Sequence, residues 1–239
     1  MSESDSNATT APKAFFISVE GGEGLGKTLL MKQLQETLSR YGYPVLATRE
    51  PGGCASAESI RSLFLAPPTA EAWTQEAEYL LLAAARAQHY RYTIAPALKQ
   101  GSLVLCDRFL DSSIVYQGLL WPDCDWDWLL NVHRGLLGKQ YAEQHPEGLL
   151  PDLTLLLQAP PEISMQRLSL RAQSEALNRF DLRGREFHEQ LAAAYAQLAA
   201  RFPQRICTLD ASLNPAQVLD QALRLLQERL DLGPRKAHN

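Results

Sequence analysis

The 239-residue sequence predicts an α/β fold in which a five-stranded parallel sheet is flanked by helices. Two observations lead to this prediction. Short apolar runs alternate with segments of helical period along the whole chain, which is the pattern of parallel strands joined by crossover helices. In addition, no internal repeat and no linker divides the chain. We therefore expect one domain over residues 13–239, preceded by a disordered polar tail over residues 1–12.

The first predicted strand, at 15–19, runs into a glycine-rich turn that fits the pattern G-x-x-x-x-G-K-[ST]. The backbone N–H groups of such a turn converge on a phosphate, and the helix that follows adds the positive end of its dipole. Lys27 is expected to reach the outer phosphates and Thr28 a magnesium ion. The pattern predicts a P-loop NTPase fold whose ATP site consists of Gly21, Gly22, Glu23, Gly24, Leu25, Gly26, Lys27 and Thr28.

The later elements are predicted from apolar periodicity and from turn residues. Helices are expected at 28–41, 55–65, 74–99, 125–137, 160–171, 186–202 and 215–230. Buried strands are expected at 44–49, 103–106, 153–157 and 206–210. Residues 109–118 are predicted to form a loop that leads into a short helix around 112–116, and 141–150 a further loop. The charged stretch 171–185 predicts a mobile flap, within a lid at about 166–186.

Composition excludes several classes of protein. The 23 basic and 27 acidic residues give a formal charge of −4, which argues against a protein that holds nucleic acid electrostatically. The 4 cysteines and 5 histidines show no ligand spacing, so neither a zinc site nor a disulfide framework is expected. No apolar run approaches the roughly 18 residues of a membrane span. We expect a cytoplasmic protein without a membrane partner.

Charged residues lie at the carboxyl ends of two of the predicted strands. Arg49 and Glu50 precede the stiff turn at 51–53, and Asp107 and Arg108 follow the third strand. Ligands bind at the carboxyl ends of parallel strands. A phosphate loop alone indicates only that a nucleotide binds. A kinase needs a second pocket that brings several arginines and at least one carboxylate to the transferred phosphoryl group, and these residues are candidates for it.

Five blocks of sequence resemble those of thymidylate kinases in order and spacing, and the resemblance extends from about Phe15 to the final helix. They are Glu20–Thr28, Thr48–Gly53, Ala84–Gln88, Asp107–Ser113 with Tyr116–Gly118, and Pro151–Thr154. The resemblance implies a bacterial-type dTMP kinase, which transfers the γ-phosphoryl group of ATP to dTMP in the presence of Mg²⁺. It also implies a homodimer, with the helix at 74–99 as a candidate interface.

The resemblance assigns roles to individual residues. Glu23 is expected near the deoxyribose 3′-hydroxyl and the metal, and Arg108 between the donor and acceptor phosphates. Asp107 either orients Arg108 or binds a water on Mg²⁺, so that Thr28 and Asp107 are the expected metal-site residues; capping is the structural alternative for Asp107. The residues implied for dTMP are Glu23, Arg49, Leu82, Arg86, Arg108, Ser113, Tyr116 and Gln117.

Some of these acceptor residues also have purely structural interpretations. Arg49 would contact the dTMP phosphate, or else pair with Glu50 or remain a surface charge. Arg86, which shares a helix face with Leu82, would contact thymine, or else form a structural salt bridge. Tyr116 would complete the base pocket or simply pack in the core.

The remaining positive charge is expected from the lid. No Arg or Lys lies between Gly21 and Gly26, whereas Arg167 and Arg171 share a helical face. Arg179 is the second residue of a motif at 178–181 that resembles the family's Asp-Arg-[Phe/Ile]-Glu. These features identify the lid-arginine variety of the family. The expected catalytic residues are therefore Lys27, Arg108, Arg167, Arg171 and Arg179. A solvated run of charges is the alternative for each lid arginine.

The chain departs from the family pattern at Leu82, where family members usually place a Phe that stacks on thymine. Stacking on a base is worth roughly 1–3 kcal/mol, so Leu82 weakens dTMP binding by about tenfold or leaves room for another base. Two alternatives to a dTMP kinase therefore remain open. One is a kinase for another nucleoside monophosphate such as dUMP, and the other is a non-catalytic, nucleotide-binding regulatory protein. Gln158, Asn178 and Asp181 also differ from the usual residues.

Overall fold

The computed structural model describes residues 14–66, 71–120, 126–141, 150–173 and 180–235. The five strands are β1 (Phe15–Gly21), β2 (Val45–Arg49), β3 (Leu103–Asp107), β4 (Leu153–Gln158) and β5 (Ile206–Asp210). They form one parallel sheet in the order β2-β3-β1-β4-β5, which confirms the predicted fold class. Because β1 lies between β3 and β4, its carboxyl end adjoins that of β3, where Val19 pairs with Asp107.

Helices connect the strands and cover both faces of the sheet. They are α1 (Lys27–Arg40), α2 (Ala55–Leu65), α3 (Gln75–His89), α4 (Ala95–Lys99), α5 (Leu110–Leu120), α6 (Trp126–Tyr141), α7 (Pro161–Arg171), α8 (Arg185–Arg201) and α9 (Pro215–Leu230). Successive strand residues point to opposite faces, so β1 contributes Ile17 and Val19 to the core beneath α1 and α9, and Phe16 to the core beneath α5 and α8. Burial on both faces explains the continuous apolar runs of the strands.

The long helical run predicted at 74–99 is confirmed, but it is not α-helical throughout. A π-helical segment, Tyr90–Ile94, separates α3 from α4. Pro96 lies in the first turn of α4; it has no N–H to donate, and its ring would clash with the carbonyl four residues earlier. A widened turn in front of it relieves this conflict.

The short helix predicted around 112–116 is confirmed, but the loop predicted before it is wrong, because α5 already begins at Leu110. Leu110 and Ile114 are four residues apart and fully buried, which is the spacing of a helix against the core. The polar residues Asp111 and Ser113, between them in the sequence, are almost fully buried as well. Polar residues that find partners in the fold do not interrupt a helix.

Some predictions fall outside the described residues, namely the tail over 1–12, most of the loop at 141–150 and the lid residue Arg179. Over the described part of the chain, no helix combines the length and the apolarity that a bilayer crossing requires.

Candidate active site

A cleft of about 580 Å³ opens at the carboxyl ends of β1, β2 and β3. It brings together most of the residues predicted for the site: Glu23, Gly24, Gly26, Lys27, Thr28, Arg49, Leu82, Arg86, Asp107, Arg108, Ser113, Tyr116, Gln117, Arg167 and Arg171. Three predicted loop residues do not line it. Gly21 ends β1, Gly22 lies behind the loop, and Leu25 packs into the core. The cleft therefore holds the phosphate loop and the predicted acceptor residues together.

The phosphate loop leaves the first backbone N–H groups of α1 without a side-chain cap, as expected of an anion site. Lys27 donates from Nζ to the carbonyl oxygens of Gly21 and Gly22, at 3.1 and 2.7 Å. Gly24 has φ +74°, and a Cβ there would lie 2.7 Å from the backbone oxygen of Ser164 on α7. Only glycine allows α7 to approach the loop this closely.

Glu23 joins the loop to Arg108. Its Oε1 accepts from Arg108 Nη2 at 2.7 Å and from the Tyr116 hydroxyl at 2.9 Å, while Lys27 Nζ lies 3.9 Å from Oε2. Burial alone would raise the pKa of this carboxyl, but the positive charges of Arg108 and Lys27 and the hydrogen bonds lower it to about 2. Glu23 is therefore an ionised carboxylate held among three donors at the centre of the cleft.

Arg108 has a left-handed backbone with φ +67°, an uncommon conformation for a residue with a side chain. Its amide donates to Val19 O at 3.0 Å, which ties the turn after β3 to β1. Its Nη1 donates to the hydroxyls of Ser112 and Tyr195, at 3.0 and 3.3 Å. Strained residues of this kind persist where the surroundings determine them, typically at functional sites. Here the left-handed backbone conformation directs the Arg108 guanidinium into the cleft.

Glu20 lies behind Arg108 and was not among the predicted site residues. It is fully buried and accepts from Phe109 N at 2.7 Å, Ser112 Oγ at 2.6 Å and the Tyr195 hydroxyl at 3.0 Å. Burial, together with the nearby Asp111 carboxylate, raises the pKa of Glu20 to about 7 although Arg108 opposes the shift. A glutamate that ends an apolar strand is the sequence signal that could have identified it.

On the acceptor side, Arg86 is held by buried partners. Its Nε donates to Glu50 Oε2 at 2.7 Å, and its Nη2 donates to Ser113 Oγ at 2.7 Å. Its Nη1 and both amide atoms of Gln117 have no hydrogen-bond partner among the described residues, although they are buried. Because such groups are normally satisfied, they are candidates to bind a polar ligand in the cleft.

Two arginines lie near the ends of β2 and α2. Arg49 is exposed and donates from Nη2 to both carboxylate oxygens of Glu58, at 3.0 and 3.1 Å, so its partner is not Glu50. Arg61 donates to Pro51 O at 2.8 Å, lines the same cleft and was not predicted. Burial and repulsion by Arg49 lower the pKa of Arg61. The pair concentrates positive charge at this end of the cleft.

Two of the predicted lid arginines also line the cleft. Arg167 donates from Nη1 to Ala211 O at 2.9 Å. Arg171 Nη2 lies 2.5 Å from Asp181 Oδ1, which joins the end of α7 to the segment before α8. Both side chains are therefore anchored at the edge of the cleft.

A magnesium site built from protein side chains alone is absent from the described part of the chain, which contains no cluster of three His, Cys, Asp or Glu. Asp107 Oδ1 is buried in the cleft without a hydrogen-bond partner among the described residues, and Thr28 is exposed at the start of α1. Mg²⁺ at nucleotide sites typically takes one or two protein oxygens and completes its shell with phosphate and water. These two residues fit such an ion.

Comparisons with known proteins show which family the chain resembles. A family model described as thymidylate kinase matches residues 19–222. A thymidylate kinase of Protochlamydia amoebophila is 40% identical over 228 residues, which cover 92% of this chain and 96% of that protein. One of Halalkalibacterium halodurans is 38% identical over 220 residues, covering 92% and 99%. A crystal structure of thymidylate kinase from Ehrlichia chaffeensis superposes with a TM-score of 0.66 at 26% identity, covering 90% of this chain and all of that one.

Proposed function

The chain belongs to the thymidylate kinase family, and we propose that it transfers the γ-phosphoryl group of ATP to dTMP in the cleft at the carboxyl ends of β1 to β3. The observation that carries the proposal is the contact between Arg108 and Glu23, 2.7 Å apart. It places a guanidinium between the phosphate loop and the acceptor residues. A phosphoryl-transfer site needs positive charge at this point, since charge develops between the two substrates.

Different residues of the cleft bind the phosphoryl donor, ATP, and the acceptor, dTMP. The loop amides, Lys27 and the first turn of α1 hold the ATP phosphates, and Arg49 with Arg61 attracts the dTMP phosphate. An oxygen of that phosphate attacks the γ-phosphorus in line, and ADP leaves. Lys27, Arg108 and the lid arginines neutralise the equatorial oxygens in the transition state. No protein nucleophile takes part, because positioning and charge supply the catalysis.

Mg²⁺ enters the proposal as the metal that accompanies ATP. Asp107 and Thr28 would hold it, directly or through water. When bound, the ion neutralises phosphate charge.

A homodimer is also part of the proposal. Leu80 and Tyr92 on the outer side of α3 and the π segment are 53% and 64% exposed, so they are available to a second copy of the chain. Since dTMP and ATP belong to the cytoplasmic nucleotide pool, we place the enzyme there.

A coupled ADP assay with ATP, Mg²⁺ and a panel of nucleoside monophosphates tests the proposal. We expect dTMP to have the highest kcat/KM. Lys27→Ala should lower kcat by about a hundredfold or more, as expected when one donor to the transition state is lost. Lys32→Ala is the matched control, because Lys32 is exposed on the same helix. Normal turnover by Lys27→Ala, or no turnover of dTMP by the native chain, would contradict the proposal.

A further inference from the structure

Four aromatic side chains of the described residues line the cleft, and an arginine guanidinium lies over the ring of two of them. The guanidinium carbon of Arg86 lies 5.3 Å from the centroid of Phe109, and that of Arg108 lies 5.2 Å from the centroid of Tyr116. The other two, Phe64 and Phe180, stack on each other with centroids 6.2 Å apart and planes 28° from parallel. An aromatic face in a nucleotide cleft is a surface on which a base can stack.

Phe64 is fixed in place by its helix. Phe64 and Ala57 are the buried residues of α2, and they are seven residues apart, so both lie on the face of α2 that packs against α3. From α3, Leu82 and Arg86 reach the same cleft. The phenyl ring of Phe64 and the alkyl side chain of Leu82 therefore enter the cleft from two adjacent helices.

The polar atoms without partners indicate how a base lies between these helices. Arg86 Nη1 is a donor, and the Gln117 amide offers an NH2 donor and a carbonyl acceptor. Thymine and uracil present carbonyl acceptors and a ring N–H on one edge, which complement this set. A base bound by its edge at Arg86 and Gln117 presents its flat faces to the apolar walls of the cleft. Leu82 has no aromatic face, so stacking requires another ring.

We propose that Phe64 is the residue on which the acceptor base stacks, and that Leu82 leaves the volume that this ring requires. The inference rests on the proposed function, since it concerns how the acceptor of that reaction binds. In the described conformation the ring of Phe180 covers Phe64, so Phe180 has to move when the base enters. Phe64 thus sets affinity for the pyrimidine acceptor and not for ATP.

The test is steady-state kinetics of Phe64→Leu with dTMP and with dUMP. KM for both pyrimidine acceptors should rise about tenfold, because the loss of stacking does not depend on the thymine methyl group. KM for ATP should change less than twofold. Phe202→Leu is the matched control, since Phe202 is an aromatic residue outside the cleft; its KM for dTMP should be unchanged.

A side-chain exchange adds a second measurement. Leu82→Phe alone should raise KM for dTMP, because two rings overfill the space. The double variant Phe64→Leu with Leu82→Phe should return KM for dTMP to within about threefold of the native value. Circular dichroism and thermal unfolding identify any variant that fails to fold.

The inference is overturned if KM for dTMP in folded Phe64→Leu stays within twofold of the native value. It is also overturned if KM rises for dTMP but not for dUMP, since Phe64 would then contact the methyl group only. Either result leaves the proposed function standing, because the native chain still phosphorylates dTMP. Absence of dTMP turnover by the native chain would instead overturn the proposed function.

Discussion

Arg86 Nε donates to Glu50 Oε2 over 2.7 Å although the two side chains are only 3% and 4% exposed. The other oxygen of Glu50 lies 3.0 Å from His89 Nδ1, and His89 Nε2 lies 2.7 Å from Thr48 Oγ1. A chain of buried hydrogen bonds thus runs from β2 through His89 to Arg86. It holds the guanidinium so that Nη1 stays without a hydrogen-bond partner among the described residues, at the wall of the cleft.

Glu50→Ala should destabilise the protein by about 3–5 kcal/mol, because it leaves the Arg86 charge buried without its partner. It should also raise KM for dTMP more than KM for ATP, since Arg86 loses its orientation. Asp220→Ala is the control: Asp220 pairs with Arg224 on the surface of α9, where such a pair is worth about 1 kcal/mol or less. Denaturant unfolding compares the two variants. Equal losses of stability would show that the buried pair has no special role.

Gly53→Ala should disrupt the same chain of hydrogen bonds. Gly53 has φ +82°, and a Cβ there would lie 2.2 Å from His89 Nε2 and 2.6 Å from Thr48 Oγ1. Either the turn or His89 must move, so we expect lower thermal stability and weaker dTMP binding. Gly135→Ala is the matched control, because Gly135 lies within α6 and a Cβ there meets nothing within 4 Å. That variant should gain about 0.5–1 kcal/mol. A Gly53→Ala variant as stable as the native chain would contradict the expectation.

The sequence predicted the sheet, the phosphate loop and the residues at strand ends, because each has a local signature. Apolar runs indicate strands, and the spacing of Gly26 and Lys27 in the loop follows from the need to surround a phosphate. Arg49 and Arg108 were predicted as cleft residues because Arg49 ends β2 and Arg108 directly follows β3, at the edge where ligands bind. Local pattern thus predicted cleft residues at the ends of β2 and β3, although it missed Glu20 near the end of β1.

Residues that act through long-range contacts had no such signature. Tyr195 has the spacing of an ordinary core residue of α8, and only the packing of α8 against the sheet brings its hydroxyl to Glu20, 175 positions away. His89 likewise resembles a core histidine of α3, and Phe64 a core residue of α2. Partners of this kind depend on how the elements pack, which periodicity does not specify.

Arg171→Ala should lower kcat with dTMP by about tenfold or more, since Arg171 lines the cleft at the edge of the lid. Arg185→Ala is the control. Arg185 is an exposed arginine nearby that pairs with Glu162 and Glu189 and does not line the cleft, so its kcat should be unchanged. Single-turnover measurements separate the chemical step from product release. Equal kcat values for the two variants would remove Arg171 from the transition state.

Glu20 should make stability depend on pH in an unusual direction. The folded protein keeps the proton on Glu20 up to about pH 7, mainly because the carboxyl is buried, whereas the unfolded chain releases it near the ordinary pKa of 4.5. Between these values the folded state binds more protons than the unfolded state. The stability that the protonated carboxyl contributes is complete below about pH 4.5 and is lost as the pH rises to about 7.

Glu20→Gln removes this titration and keeps an oxygen that accepts from Phe109 N. The difference in unfolding free energy between the native chain and Glu20→Gln should therefore shift by a few kcal/mol from pH 5 to pH 8, in favour of the variant, at about 1.4 kcal/mol per pKa unit. Urea unfolding at the two pH values measures it, and taking the difference cancels the titration of other groups. A difference that is the same at both pH values would mean that Glu20 is already ionised at pH 5. The negative charge would then be held by Arg108 and the hydroxyls of Ser112 and Tyr195 more strongly than burial opposes it.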